Sequence, residues 1–123
     1  MATISEQRAA VAAALNTIGG ITVTAHPVTN NLRPGDGWVN VTRIAPSDFS
    51  ASAATMAAVV ALGPDPVASD ALFDTLAVQL VDTITDMGGV TDVSAEPLLL
   101  VADGTVPGNL YAIQVIFTLE VTR

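Results

Sequence analysis

Apolar residues recur along this chain with two different periods, and the changes of period mark its elements. Ile4, Val11, Leu15 and Ile18 are spaced by 7, 4 and 3 residues, which places them on one stripe of a helix. The segment around them is rich in alanine, the best helix former. Thr3-Ile4-Ser5-Glu6 has the form of a capping box, in which hydroxyl and carboxylate each satisfy an orphan amide. Gly19-Gly20 stops the run, because glycine accepts the left-handed turn beyond a helix end without a Cβ clash. The pattern predicts helix over residues 4–18. A second stripe, Leu72, Phe73, Leu76, Leu80, Ile84 and Met87, is introduced by Asp65-Pro66, an N-cap acid followed by a first-turn proline, and closed by Gly88-Gly89. It predicts helix over about 67–87, with Asp70, Asp74, Asp82 and Asp86 away from the leucines.

Elsewhere the period falls to two. Residues 21–25 are short, β-branched and alternating, and His26-Pro27 breaks them. Residues 28–37 hold two Asn, one Pro and two Gly, the composition of a loop, with turns expected at Asn30-Asn31 and Pro34-Gly35. Asp36-Gly37 and Asp103-Gly104 also read as turn dipeptides. From Trp38 to Ala45 alternation returns, Val39 and Val41 against Asn40 and Thr42. ASAATMAAVVAL, residues 51–62, is ambiguous: alanine favours helix, whereas Val59-Val60 and the short length favour a buried strand, expected over about 54–62. Residues 90–101 alternate loosely around Pro97, which suits an edge strand or a bulge, and 102–109 form a turn-rich loop. The last segment is the clearest, with Tyr111, Ile113, Val115, Phe117, Leu119 and Val121 on one side. The order is α-β-β-β-α-β-β. Helices of these lengths cover one face of one sheet, so the expected fold is α+β: a single domain over 1–123, a two-layer sandwich with a mainly antiparallel sheet and both helices on one face.

Composition sharpens this picture. Half of the 123 residues are hydrophobic but only 4% are aromatic, so alanine (20 residues) and valine supply most of the apolar mass. Twelve acids face four arginines and no lysine, for a formal charge of −8. That balance disfavours a nucleic-acid or anionic-membrane binder, both of which need clustered cations. Without cysteine there is no disulfide, thiolate nucleophile or thiolate metal site. The mean hydropathy of +0.55 is high, yet no apolar run is longer than that from Met56 to Leu62, which falls far short of the roughly 18–20 residues of a membrane span. Nor does the first segment read as a signal peptide, because Glu6 and Arg8 interrupt it. So apolar a chain with so little charge is expected to bury surplus surface against partner subunits.

Candidate chemistry is sparse. His26, the single imidazole, precedes a proline at a strand end and reads as a structural or loop histidine. One histidine with scattered acids matches no zinc spacing, and the i, i+4 pairs Asp70/Asp74 and Asp82/Asp86 read as a solvated helix face. Neither a Gly-rich phosphate loop nor a G-x-S-x-G elbow occurs. No catalytic, cofactor-binding or metal-ligating set is therefore expected. One aromatic–basic grouping stands out: Arg33, Trp38 and Arg43. Trp38 could simply fill the boundary of sheet and loop while the arginines pair with acids. Alternatively the three belong to a subunit contact, where Trp and Arg are enriched.

Taken together, these segments resemble the tail terminator (tail-completion) proteins of long non-contractile-tailed bacteriophages. The likeness runs over nearly the whole chain. An Ala-rich helix ends in glycine before ITVTAHPV, and a Pro- and Gly-containing loop leads into WVNVTRI. The D-x-x-x-D-x-L helix DALFDTLAVQLVDTI follows, and a Gly-containing loop introduces the final strand LYAIQVIFTLEVTR. The resemblance implies a small α+β domain that assembles as a ring, typically of six copies. Such a ring caps the tail tube, ends its polymerisation and presents its other face to head-completion proteins, with DNA passing through the lumen. It also implies residence in the virion at the head–tail junction and in host cytoplasm during assembly. On that reading the loops 28–37 and 102–109 carry partner contacts, and Asp36 and Asp103 are candidate lumen-facing acids that repel DNA phosphates. The competing expectations are another neck or head–tail connector protein, and a small dimeric ligand-binding domain with a discrete apolar pocket. An enzyme that depends on His26 is a third.

Overall fold

The computed structural model describes residues 2–26, 32–47, 50–100 and 109–122. Helix α1 (Ile4–Leu15) starts as its capping box dictates: Thr3 Oγ1 accepts from the Glu6 amide and Glu6 Oε1 accepts from the Thr3 amide, each at 3.2 Å. Hydrogen bonding of the ionised carboxylate by Thr3, through its backbone amide first and its side chain second, holds the Glu6 carboxyl below the ordinary glutamate pKa. The helix stops at Leu15, not at residue 18. Asn16 leaves the helix to lie beside β1 (Thr22–Thr24), where its amide takes both backbone groups of Val23, accepting from the N–H at 2.7 Å and donating to the C=O at 2.9 Å. A side-chain amide thus does the work of a neighbouring strand, and residues 17–20 turn tightly around it, with Gly20 at φ +88.

The remaining elements are β2 (Asp36–Pro46), β3 (Ala51–Gly63), α2 (Pro66–Thr85), β4 (Val90–Leu100) and β5 (Leu110–Thr122). They form one sheet in the order β1-β2-β3-β5-β4, with β1 parallel to β2 and every other pair antiparallel. The expected α+β class and the order α-β-β-β-α-β-β are both observed. The ambiguous alanine-rich run is a strand, and a longer one than predicted. β3 sits between β2 and β5 as the central strand, and 11 of its 13 residues are buried. Both helices pack on the same side of the sheet: Val11 and Leu15 of α1 and Leu80 and Ile84 of α2 share one core with Val39, Met56, Val60, Ile113, Val115 and Phe117.

Three further expectations change. Asp36-Gly37 is not a turn, whereas the turn expected at Pro34-Gly35 is present. There the Asp36 amide donates to the Arg33 carbonyl at 3.0 Å across Pro34 and Gly35 (φ +92), a type II arrangement. Gly35 also bridges the sheet: its N–H donates to Ala61 at 2.7 Å and its C=O accepts from Thr22 at 2.9 Å, while a Cβ there would lie 2.6 Å from the Gly20 carbonyl. Gly37 instead opens β2, where a side chain would collide with the Val59 carbonyl. Leu72 leaves the buried stripe of α2 and is 48% exposed beside Gly19, Gly20 and Ile21, because the inward line of the helix runs through Ser69, Ala77, Leu80 and Ile84. Tyr111 departs from the buried side of β5 and is 37% exposed, since it lies past the register shift at Ala61/Gly63, in a groove beside the first turns of α2.

One internal contact ties helix to sheet edge. β1 accompanies β2 only as far as Trp38, so the next outward carbonyl, that of Val39, has no strand partner. The Arg8 guanidinium supplies it, donating from Nε at 3.1 Å and Nη2 at 2.7 Å.

Replacing Leu80, which is fully buried, with Ala is expected to cost about 2–5 kcal/mol in chemical denaturation, whereas Leu72→Ala should cost under about 1 kcal/mol. Arg8→Met keeps much of the side-chain bulk but orphans the half-buried Val39 carbonyl, for an expected loss of about 1–3 kcal/mol in the same measurement. The Glu6 contribution has a definite sign. Because its folded pKa is lowered, the stabilisation is present above the ordinary glutamate pKa and is lost as pH falls through the lowered value. The helical chemical shifts of the first turn of α1 should weaken across that acidic window, and Glu6→Gln should abolish this dependence while leaving the turn formed at neutral pH.

Candidate functional site

Among the described residues no helix packs on the side of the sheet away from α1 and α2. Its rows follow from the register, since residues directly opposed across strands point to the same side. One row is Trp38–Val59–Gln114–Glu96, the next Asn40–Ala57–Ile116–Ser94, and the third Arg43–Thr55–Thr118–Thr91. The Thr55 and Thr118 hydroxyls meet at 3.3 Å across the third row. Ala57, Val59, Ala61 and Ala112 are buried although no helix covers them. They are short, and taller side chains flank them, Trp38 and Asn40 on β2 and Gln114 and Ile116 on β5. Along β3 this side is therefore apolar and buried at Ala57, Val59 and Ala61, with Thr55 beyond them.

Trp38 is half-buried and packs on a second, smaller cluster of Leu32, Ala61 and Leu110, with Leu100 beside it. It therefore fills a boundary between sheet and loop at one end of this face. Arg43 reaches the same face through a bulge. Val39 and Val41 point towards the helices, and a regular strand would send Arg43 after them into the core. The register instead slips between Val41 and Arg43, leaving Thr42 as the extra residue, and Arg43 comes to oppose Thr55 on the uncovered side. Thr42 Oγ1 donates to the Thr55 carbonyl at 3.1 Å, which holds the bulge in place. Trp38 and Arg43 share the face but are separated by the four-residue span from Val59 to Thr55, about 13 Å at strand rise.

Arg33 stands apart from both, exposed in the turn that precedes β2. Sequence groups the three residues; the fold joins only Trp38 and Arg43 on one surface. Among the described residues no carboxylate lies within ion-pair distance of the Arg33 or Arg43 side chain, so these arginines are not occupied by the described acids of the chain. Asp36 is engaged locally, its Oδ2 accepting from the Arg33 amide at 3.0 Å to close the turn. Asp103, most of the loop 102–109 and residues 28–31, with the turns expected at Asn30-Asn31 and Asp103-Gly104, lie outside the described residues.

The outer surface of α2 is the second unpartnered feature. Asp65 caps it, accepting from the amides of Val67 (2.9 Å) and Ala68 (3.3 Å). The line facing away from the core runs through Val67, Ala71, Thr75, Val78 and Asp82. Val67 is 78% and Val78 60% exposed, unusual for the outward stripe of a helix. Asp74 and Asp82 stand one turn before and one turn after Val78.

Other chemistry is thin. His26 is exposed, and its carbonyl accepts from Thr24 Oγ1 at 2.6 Å. Among the described residues no group of three or more His, Cys, Asp or Glu side chains is placed to hold a metal ion. Among them, too, no helix is long and apolar enough to cross a membrane. Grooves of about 310 Å³ beside Gly20, Leu72 and Gln79, and about 560 Å³ beside Phe73, Pro97 and Tyr111, are open to solvent.

The residues that sequence reasoning misses act through backbone groups. In the sequence Arg8 is only a break in an apolar run, and Asn16 only part of a helix. An arginine on the polar side of an amphipathic helix and an asparagine three residues before Gly19 carry no periodic signal for such roles. Compared with known proteins, the chain matches no protein-family model and no curated protein.

Proposed function

We propose that this chain is a structural subunit of a ring that caps a phage tail tube, ending its growth and joining it to the head, with DNA passing through the centre. The observation that carries the reading is exposed apolar surface on α2, where Val67 and Val78 are 78% and 60% exposed, with Ile44, Leu72 and Leu99 also exposed among the described residues. Surplus apolar surface of this kind belongs to an assembling protein more than to a free monomer. The resemblance in element order to tail terminators supplies the kind of assembly, and the observed order α-β-β-β-α-β-β agrees with the small α+β domain that it implies. A charge of −8 repeated around a ring also suits a lumen through which DNA slides without adhering. Within this reading Trp38 and Arg43 belong to the subunit contact and Arg33 to an exposed loop at its margin. The tail-tube protein and a head-completion protein are the expected neighbours. No catalytic step is assigned.

The test is native mass spectrometry with negative-stain imaging of the purified chain, alone and mixed with tail tubes of the non-contractile type. Closed rings, free or seated on tube ends, are the expected outcome. A monomer that leaves tube ends bare and tube growth unchanged would overturn the proposal.

A further inference from the structure

A groove of about 560 Å³ runs between the first turns of α2 and the facing ends of β4 and β5. Phe73, Pro97, Leu98 and Tyr111 give it apolar and aromatic walls, and Asp70 and Asp74 stand on its helix side. The apolar surface extends beyond the groove itself. Leu99, 46% exposed, lies directly opposite Tyr111 across the β4–β5 pair and so shares its side of the sheet, and exposed Val67 stands one turn before Asp70. Charge around the groove has one sign. α2, β4 and β5 contain no Lys, Arg or His, and among the described residues no cation lies within ion-pair distance of Asp70 or Asp74. The two aspartates are one turn apart, a spacing at which like charges repel. From this arrangement we infer that the groove is the docking site for a segment of a different protein, one that presents an arginine or lysine beside apolar side chains.

Each part of the groove selects one property of the occupant. A basic side chain combines an apolar stem, which packs along walls such as Phe73 and Pro97, with a cationic head for the carboxylates of Asp70 and Asp74. An aromatic ring such as that of Tyr111 adds its own attraction for a cation. An anionic ligand, nucleic acid included, is repelled by the same carboxylates. A free small amine satisfies the acids but leaves Leu99 and Val67 in water, so the occupant is a polypeptide. A second copy of this chain is a poor match among its described arginines. Arg8 is held by the Val39 carbonyl, and Arg33 sits between buried Leu32 and the Pro34-Gly35 turn. Arg43 adjoins exposed Ile44, but neighbours on a strand point to opposite sides, so one groove cannot take both. The inference does not need the ring; within it, the segment belongs to the tail-tube or head-completion neighbour.

The test titrates the full, isotope-labelled chain with three probes and follows its backbone amides by NMR. The probes are the blocked peptide acetyl-Ala-Leu-Arg-Leu-Ala-amide, the same peptide with neutral citrulline in place of arginine, and butylguanidinium as a free small cation. At millimolar concentration the arginine peptide should shift amides of residues 69–74, 98–99 and 110–112. It should bind about three- to tenfold more tightly than either other probe, and the difference should shrink as salt is raised. The double substitution Asp70→Asn/Asp74→Asn should lower the arginine peptide to the affinity of the citrulline peptide. Both positions are exposed, and an unchanged affinity for the citrulline peptide shows that the variant is folded. Tyr111→Ser should weaken both peptides. Equal binding of the arginine and citrulline peptides, shifts centred on other residues, or no shifts at all would overturn the inference. Butylguanidinium binding as tightly as the arginine peptide would do the same, marking a site for a free cation. A change in the chain's own assembly on Asp70→Asn/Asp74→Asn would make a second copy the occupant, which also ends it. Rings that form while the groove takes no peptide leave the ring reading standing, and peptide binding by a chain that forms no ring leaves this one standing.

Discussion

Width governs this molecule. Five strands at about 4.8 Å spacing make a sheet roughly 19 Å across, and two helices of about 10 Å diameter laid side by side cover that width once. Among the described residues there is no third helix for the other side. The sequence answers the constraint by making the central strand of small residues: on β3 the core-facing Ala54, Met56, Ala58 and Val60 meet the helices, and the opposite Ala57, Val59 and Ala61 are short enough for the side chains of β2 and β5 to shield them. On that side Ala61 also packs with Leu32 and Leu110 in the smaller cluster, against which Trp38 and Leu100 lie.

Charge is distributed along the same division. The helix layer carries Glu6, Asp65, Asp70, Asp74, Asp82 and Asp86, and its single cation, Arg8, is turned inward to the sheet edge. The three rows across the centre of the uncovered face carry one acid, Glu96, and one cation, Arg43.

Much of this is legible in the order of residues because it depends on periodicity. The alternation of β5, the capping signals at Thr3 and Asp65 and the glycine pairs after both helices each report a local preference that the tertiary structure keeps. The run 51–62 is harder, since alanine suits a helix and a crowded central strand equally well, and only its place between β2 and β5 decides. What stays hidden depends on pairing between distant segments. Gly37 is glycine because the Val59 carbonyl lies against it, 22 residues away in sequence, and no local rule separates that from a turn glycine. Grouping Arg33, Trp38 and Arg43 by proximity in the chain is half right for the same reason. Arg43 has the parity of the core-facing Val39 and Val41, and only the slip at Thr42, visible in the register with β3, moves it to the side of Trp38.

That slip also bears on how copies of this sheet can meet. A sheet with open sides usually grows by adding a strand at an edge, which needs an uninterrupted row of donors and acceptors. Neither edge offers one. On β4 the ladder breaks between Thr91 and Ser94 around Asp92, held at φ +55, and Pro97 lacks an amide proton. On the outer side of β2 the Val39 carbonyl is taken by Arg8, the bulge follows at Thr42, and Pro46 ends the strand. Interruptions of this kind are what natural sheets use against edge-to-edge association. The bulge at Thr42 acts twice, since the irregularity that spoils the edge is the one that brings Arg43 to the face away from the helices.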